Sequence, residues 1–181
     1  MPTFLACFAL IATYWAAHER FSRRFGIEDR TTIMYSMALV ASVLVWVYPL
    51  RMVVSSGLWF MSGGWVPSEL EVQAIGELQS AFRIFAAGFI VLNGLILLLN
   101  RHALRLADAL ELDARERLET RAEIRRHAIS IGVAVLSFAV TFMVAGATQN
   151  WMLGLPGFAY GVLGIAIPLH YRRLARERAA L

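Results

Sequence analysis

The sequence contains no lysine: all 17 of its basic residues are arginine. It has one cysteine, Cys7, so an internal disulfide is excluded and no zinc-ligand spacing exists. Cys7 lies in an apolar run, where a packed structural thiol is expected. The opening Met1-Pro2-Thr3 lacks the positive segment of a signal peptide, and no small-residue cleavage site precedes the first charges. Charge is nearly absent within the apolar runs. Transport and proton relay usually leave carboxylates or histidines there. Nucleophile elbows, phosphate loops and metallohydrolase motifs are missing too. These absences argue against an enzyme and leave no cofactor and no metal site to expect.

What is present is apolar sequence in long runs. The 181 residues are enough for one domain, and 59% of them are hydrophobic. A soluble domain is closer to half apolar, and runs of this length suit lipid. The fold class expected is all-α: an integral membrane helical bundle of about five transmembrane helices. The segments fall at about 3–18, 31–54, 78–100, 127–147 and 151–170. A helical linker at 101–126 joins the third and fourth. The aspartate in Asp113-Ala114-Arg115-Glu116 suits a capping box, so the fourth helix is expected to begin near Ala114. Glu111–Arg115 and Asp113–Arg117 have the spacing of helical ion pairs.

Charge sets an expected orientation. The loop after the first segment carries Arg20, Arg23, Arg24 and Arg30. The 101–126 linker carries seven more arginines and the tail carries four. If all five segments span, these 15 of the 17 arginines share one side. By the positive-inside rule that side is cytoplasmic, with the C-terminus. The opposite side receives Arg51, Arg83, Glu69, Glu71 and Glu77, with ion pairing possible among them. A net charge of +4 also suits nucleic acid. The arginines flank apolar runs, however, so a lipid bilayer is the expected partner, and no nucleic acid.

Several features carry two readings each. The 55–76 connection holds Ser55-Ser56-Gly57 and Ser62-Gly63-Gly64-Trp65-Val66-Pro67, which should break helices. Its Trp59, Phe60 and Trp65 suit a wet interface, or a lid. Gly154, Gly157, Gly161 and Gly164 make a small-residue stripe suited to helix packing. Ser130, Ala134, Ser137, Thr141 and Ala145 make another, read as packing in preference to a polar pathway. Asn93 is the strongly polar residue deep in an apolar run, and is read as a helix–helix hydrogen-bond partner. His18, His102, His127 and His170 fall at helix ends, as interfacial anchors or as a proton sensor.

The stretch Tyr14-Trp15-Ala16-Ala17-His18-Glu19-Arg20-Phe21, followed by Asp29-Arg30 and later Tyr48-Pro49, resembles the bacterial branch of the transmembrane protein 175 family. These are potassium channels with six helices per repeat, the bacterial ones tetrameric. In that pattern the second helix ends in aromatic-Trp-x-x-His-x-x-Phe, a basic loop with Asp follows, and the third helix ends at a proline. The resemblance covers all five segments in order and topology, with motif detail confined to residues 14–49. It implies that Tyr14, Trp15, His18, Phe21, Asp29 and Pro49 are family motif positions, with Trp15 and His18 bracing the first helix. It implies a homotetramer passing potassium passively. An asparagine usual early in the third helix is replaced, at Tyr35 or Ser36.

The family's Arg-x-x-x-Phe-Ser-Asp motif lies on a pore-lining first helix that has no counterpart here. No residue of this chain matches a pore-lining position. The first segment reaches only about 25 Å from Met1, against a core of ~30 Å. Together these predict an upstream apolar segment carrying the motif. The alternative is a non-conducting small multi-pass membrane protein that packs against a partner through its last helix.

Overall fold

The computed structural model describes residues 1–68, 75–144, 152 and 154–180, and the described residues contain helices and turns with no strand. Helix α1 is Pro2–Phe25, α2 is Arg30–Met61, α3 is Ile75–Arg105 and α4 is Ala114–Met143. A short α5, Leu155–Phe158, runs through a 3₁₀ turn, Ala159–Val162, into α6, Leu163–Ala179. Helix α3 lies between α2 and α4. Helix α1 leans on α2 and α3, and α6 on α4. Among the described residues, α2, Leu78–Arg105 and α4 are long and apolar enough to cross a membrane. The all-α membrane bundle is therefore the observed class.

The helices start and stop where backbone chemistry dictates, and several differ from expectation. Helix α1 continues seven residues past His18. Arginine is a good helix former, so the charged stretch does not end the helix. Gly26 does, in the left-handed conformation at φ 56°. At 24 residues α1 is about 36 Å long, but its last two turns carry Glu19, Arg20, Arg23 and Arg24, so its apolar part stays near the expected 25 Å. Asp29 then caps α2, accepting from the Thr32 N–H at 2.9 Å.

Helix α2 runs straight through Pro49 and through Ser55-Ser56-Gly57, which were expected to lie at its end or beyond it. Pro49 removes the hydrogen bond to the Val45 carbonyl, a loss tolerated in apolar helices with packed neighbours. The hydroxyls of Ser55 and Ser56 bond back to the Met52 carbonyl within the helix. The break comes instead at Gly63 and Gly64, whose φ values of 63° and 91° exclude helix. Glu69 and Glu71 lie outside the described residues.

The 101–126 linker is not one helix. Helix α3 persists to Arg105, a turn covers 106–113, and α4 starts at Ala114. Asp113 and Glu116 form the expected capping box. The ion pairs differ from expectation: Arg115 reaches Glu119 at 3.3 Å, and Arg117 reaches Asp108 at 2.6 Å. Glu111 has φ 52° and Asp113 is extended, so neither belongs to the helix whose spacing the expected pairs assumed. Helix α4 ends at Met143, and Ala145 and Ala147 lie outside the described residues.

Candidate functional site

Three helices meet at one buried polar junction. Tyr14 of α1 and Asn93 of α3 are 7% and 3% exposed, and His127 of α4 is 2% exposed. The Asn93 amide N–H donates to the Tyr14 hydroxyl at 2.8 Å. Its Oδ1 stands 2.8 Å from His127 Nδ1, and His127 Nε2 stands 2.8 Å from Arg126 Nη2. Arginine can only donate. His127 Nε2 therefore accepts, Nδ1 carries the proton, and the imidazole is neutral. Donation runs one way, from Arg126 through His127 and Asn93 to Tyr14. Arg126 also holds Glu123 at 2.9 Å. His127 is thus no interfacial anchor: it sits in the middle of α4 with both ring nitrogens engaged. Asn93 is the interhelical partner that its position in an apolar run suggested.

An aromatic layer surrounds this junction. Tyr14 and Trp46 rings meet edge to face at 5.8 Å, and Trp46 packs on Phe85 at 5.2 Å. Tyr160 of the 3₁₀ turn meets Phe85 and Phe89 edge to face at 5.3 and 5.2 Å. Trp46 also donates to the Phe85 carbonyl at 3.0 Å.

Two polar contacts tie α2 to its neighbours nearer the arginine-rich end. His18 Nε2 lies 2.8 Å from Ser36 Oγ, and His102 Nε2 lies 2.7 Å from Asp29 Oδ2. Phe21 is buried and packs against Phe25 at 5.2 Å. Trp15 is 67% exposed, its ring 6.3 Å from that of His18. Pro49 is buried in the body of α2. Tyr14, His18, Phe21, Asp29 and Pro49 thus line the contact of α1, α2 and α3, while Trp15 faces out.

The two small-residue stripes behave differently. Ser130, Ala134, Ser137 and Thr141 are all buried. The Ser137 hydroxyl donates to the Pro156 carbonyl at 2.7 Å, and Thr141 accepts from Arg83 Nε at 3.1 Å. That stripe is packing surface, not an aqueous path. Arg83 also stacks over Phe142 at 4.4 Å, so its described partners are on α4. The glycines divide. A Cβ on Gly157 would stand 3.2 Å from Phe82, one on Gly154 would meet its own helix at Phe158, and Gly161 and Gly164 face open space. The 3₁₀ turn at Ala159–Val162 winds three residues per turn and so rotates the later glycines off the earlier face.

No protein-family model matches the chain. It is 24% identical over 181 residues to a protein of Marivirga tractuosa named "Potassium channel", covering 97% of this chain and 72% of that one. A solved structure, a variant of the potassium channel MtTMEM175 in complex with a Nanobody-MBP fusion protein, superposes with a TM-score of 0.78. It is 23% identical and covers 97% of this chain and 77% of that chain. The chain has the transmembrane protein 175 fold. Sequence and superposition agree along nearly the whole chain, in keeping with a resemblance that covers all five segments and not residues 14–49 alone. Within this fold Ser36 is the residue that meets His18, early in the helix where the family's asparagine was expected.

Sequence reasoning missed Trp46, Gly88 and the engagement of His127. A tryptophan inside an apolar run looks like any lipid-facing aromatic. What distinguishes it is a glycine on another helix, about 40 residues away in sequence, which no local periodicity reports.

Proposed function

We propose that the protein is a subunit of a passive potassium-conducting channel, a homotetramer in the cell membrane with its C-terminus and arginine-rich end in the cytoplasm. The observation that carries this is the similarity of 97% of the chain to a protein named as a potassium channel, together with the matching fold. The physical support is the absence of carboxylates among the apolar residues of the three long helices. A passive pore needs no ion-coupled relay there. Each side chain of the polar junction, Tyr14, Asn93 and His127, has an internal hydrogen-bond partner. The role of the junction is to hold α1 at a fixed angle on α3 and α4. The exposed edge of α1, with Trp15 and the neighbouring His18, is the surface that would brace the family's pore-lining helix. The glycine stripe Gly154, Gly157, Gly161 and Gly164 serves helix packing.

A second reading is favoured by one observation: Gly161 and Gly164 face open space with Val162 and Ile165 exposed beside them. That surface suits a non-conducting membrane protein that packs against a different one. Two measurements separate the readings. Potassium flux well above sodium flux from reconstituted liposomes, with a crosslinked ladder ending at four identical subunits, supports the channel. Flux no greater than empty liposomes, with crosslinks at Gly161→Cys joining a different protein, supports the second reading.

A further inference from the structure

The seam between α2 and α3 has an apolar groove at mid-depth and arginines at one end. The groove is about 420 Å³, lined by Ala41, Trp46 and Pro49 from α2 and by Ala87, Gly88 and Val91 from α3. On α3 the stripe through Ala87 and Val91 continues at helical spacing through Gly94 and Leu98 to Arg101 and Arg105. On α2 the stripe through Ala41 runs back through Met37 and Met34 to Arg30. Met34 and Met37 are exposed, Leu98 is 38% exposed, and a Cβ on Gly94 would meet nothing. The surface between groove and arginines is therefore open and apolar. The 2.7 Å contact of His102 with Asp29 brings the ends of the two stripes together, with Arg30 next to it in sequence on α2 and Arg101 and Arg105 within one turn of it on α3. All three are exposed, and none makes an ion pair among the described residues. Of the acids in this turn, Asp29 is already taken by Thr32 and His102, and the exposed Glu28 still leaves the three arginines in excess.

We propose that this seam binds an anionic phospholipid, its phosphodiester headgroup at Arg30, Arg101 and Arg105 and one acyl chain lying along α2 and α3 into the groove at Trp46. The dimensions agree. Ala41 stands about 16 Å along the axis from Arg30, and Val91 about 15 Å from Arg101. One leaflet of hydrocarbon is about 15 Å deep, half of a ~30 Å core. A chain hung from the arginines therefore reaches the groove. Guanidinium groups bind phosphate oxygens through paired donors, and three beside an apolar path select negative headgroups over zwitterionic ones. A second copy of the chain is a poorer occupant. In a common membrane orientation it would set its own arginine end against these arginines.

The inference rests on membrane embedding and not on conduction, so its test involves no ion flux. Trp15, Trp59, Trp65 and Trp151 are replaced by Phe, leaving Trp46 as the fluorophore, and the protein is placed in bilayers containing lipids brominated on the acyl chain. Brominated phosphatidylglycerol should quench Trp46 at a lower mole fraction than brominated phosphatidylcholine. Each of Arg30→Gln, Arg101→Gln and Arg105→Gln should remove about a fivefold factor of that preference. Gly94→Leu leaves the charges in place and should weaken quenching by both lipids. Equal quenching by the two lipids in the parent, or a preference unchanged in the triple arginine variant, overturns the proposal. So does an unquenched Trp46 with Val45→Cys crosslinking between copies, which would make the seam a protein interface.

Discussion

Trp46 and Gly88 are matched across the α2–α3 contact. A Cβ built on Gly88 would collide with Trp46 Cδ1 and stand 2.8 Å from Nε1. The indole is held in place, because its N–H is bonded to the Phe85 carbonyl and Tyr14, Phe85 and Phe89 pack against its ring. The glycine is what lets α2 and α3 approach closely enough for the tryptophan to reach a backbone acceptor.

Gly88→Ala should therefore destabilise the protein by about 1–3 kcal/mol, the usual cost of overpacking a filled core. Gly132→Ala is the control, since its Cβ would meet nothing. Thermal unfolding in detergent, followed by near-ultraviolet circular dichroism, compares them. Equal melting temperatures for the two variants would mean that the indole relaxes freely.

The junction of Tyr14, Asn93 and His127 should behave as one coupled unit. Asn93→Leu strands a buried imidazole N–H and a tyrosine hydroxyl, and His127→Phe strands the Asn93 carbonyl. Interhelical hydrogen bonds in membranes average about 0.6 kcal/mol with a maximum near 1.7. A double-mutant cycle on these two should give a coupling energy in that range. Additive effects would show that the three groups do not act together.

An ion-pair cluster ties α6 to α4. Glu177 accepts from Nη1 and Nη2 of Arg125 at 3.1 and 2.7 Å and also pairs with Arg173 at 2.9 Å. The Arg125 guanidinium holds the Glu177 carboxyl below its ordinary 4.5. A carboxyl with a lowered folded pKa contributes its stability above the ordinary value and loses it as pH falls through the folded one. The melting temperature should thus fall more between pH 6 and pH 3 for the natural protein than for Glu177→Gln. Parallel curves would exclude a role for this pair in acid stability.

Orientation is open to a direct check. In a Cys7→Ser background, Glu116→Cys should react with an impermeant thiol reagent only after permeabilisation, and Glu71→Cys should react in intact cells. Labelling of position 116 in intact cells reverses the proposed topology.

The helical class, the order of the segments, the capping box at Asp113 and the polar partner at Asn93 were readable from residues alone. Each rests on local chemistry: apolar run length, an aspartate three residues before a glutamate, an amide where lipid offers no partner. Helix ends were read less well. Charge was taken to end α1 and small polar residues to end α2, yet backbone conformation decided both. Only the glycines with positive φ, Gly26, Gly63 and Gly64, interrupt the chain there.

By itself the sequence determined that this chain belongs in a bilayer, that its arginines lie at a few helix ends, and which stretch resembles a potassium channel family. These are properties of composition and short spacing, which survive without a fold. Tertiary structure alone decided that His127 is a neutral member of a buried chain of hydrogen bonds. It alone decided that Trp46 needs the bare backbone at Gly88, and that Asp29 meets His102. Each depends on which residues of antiparallel helices come opposite one another, and that register is set by side-chain packing between segments far apart in sequence.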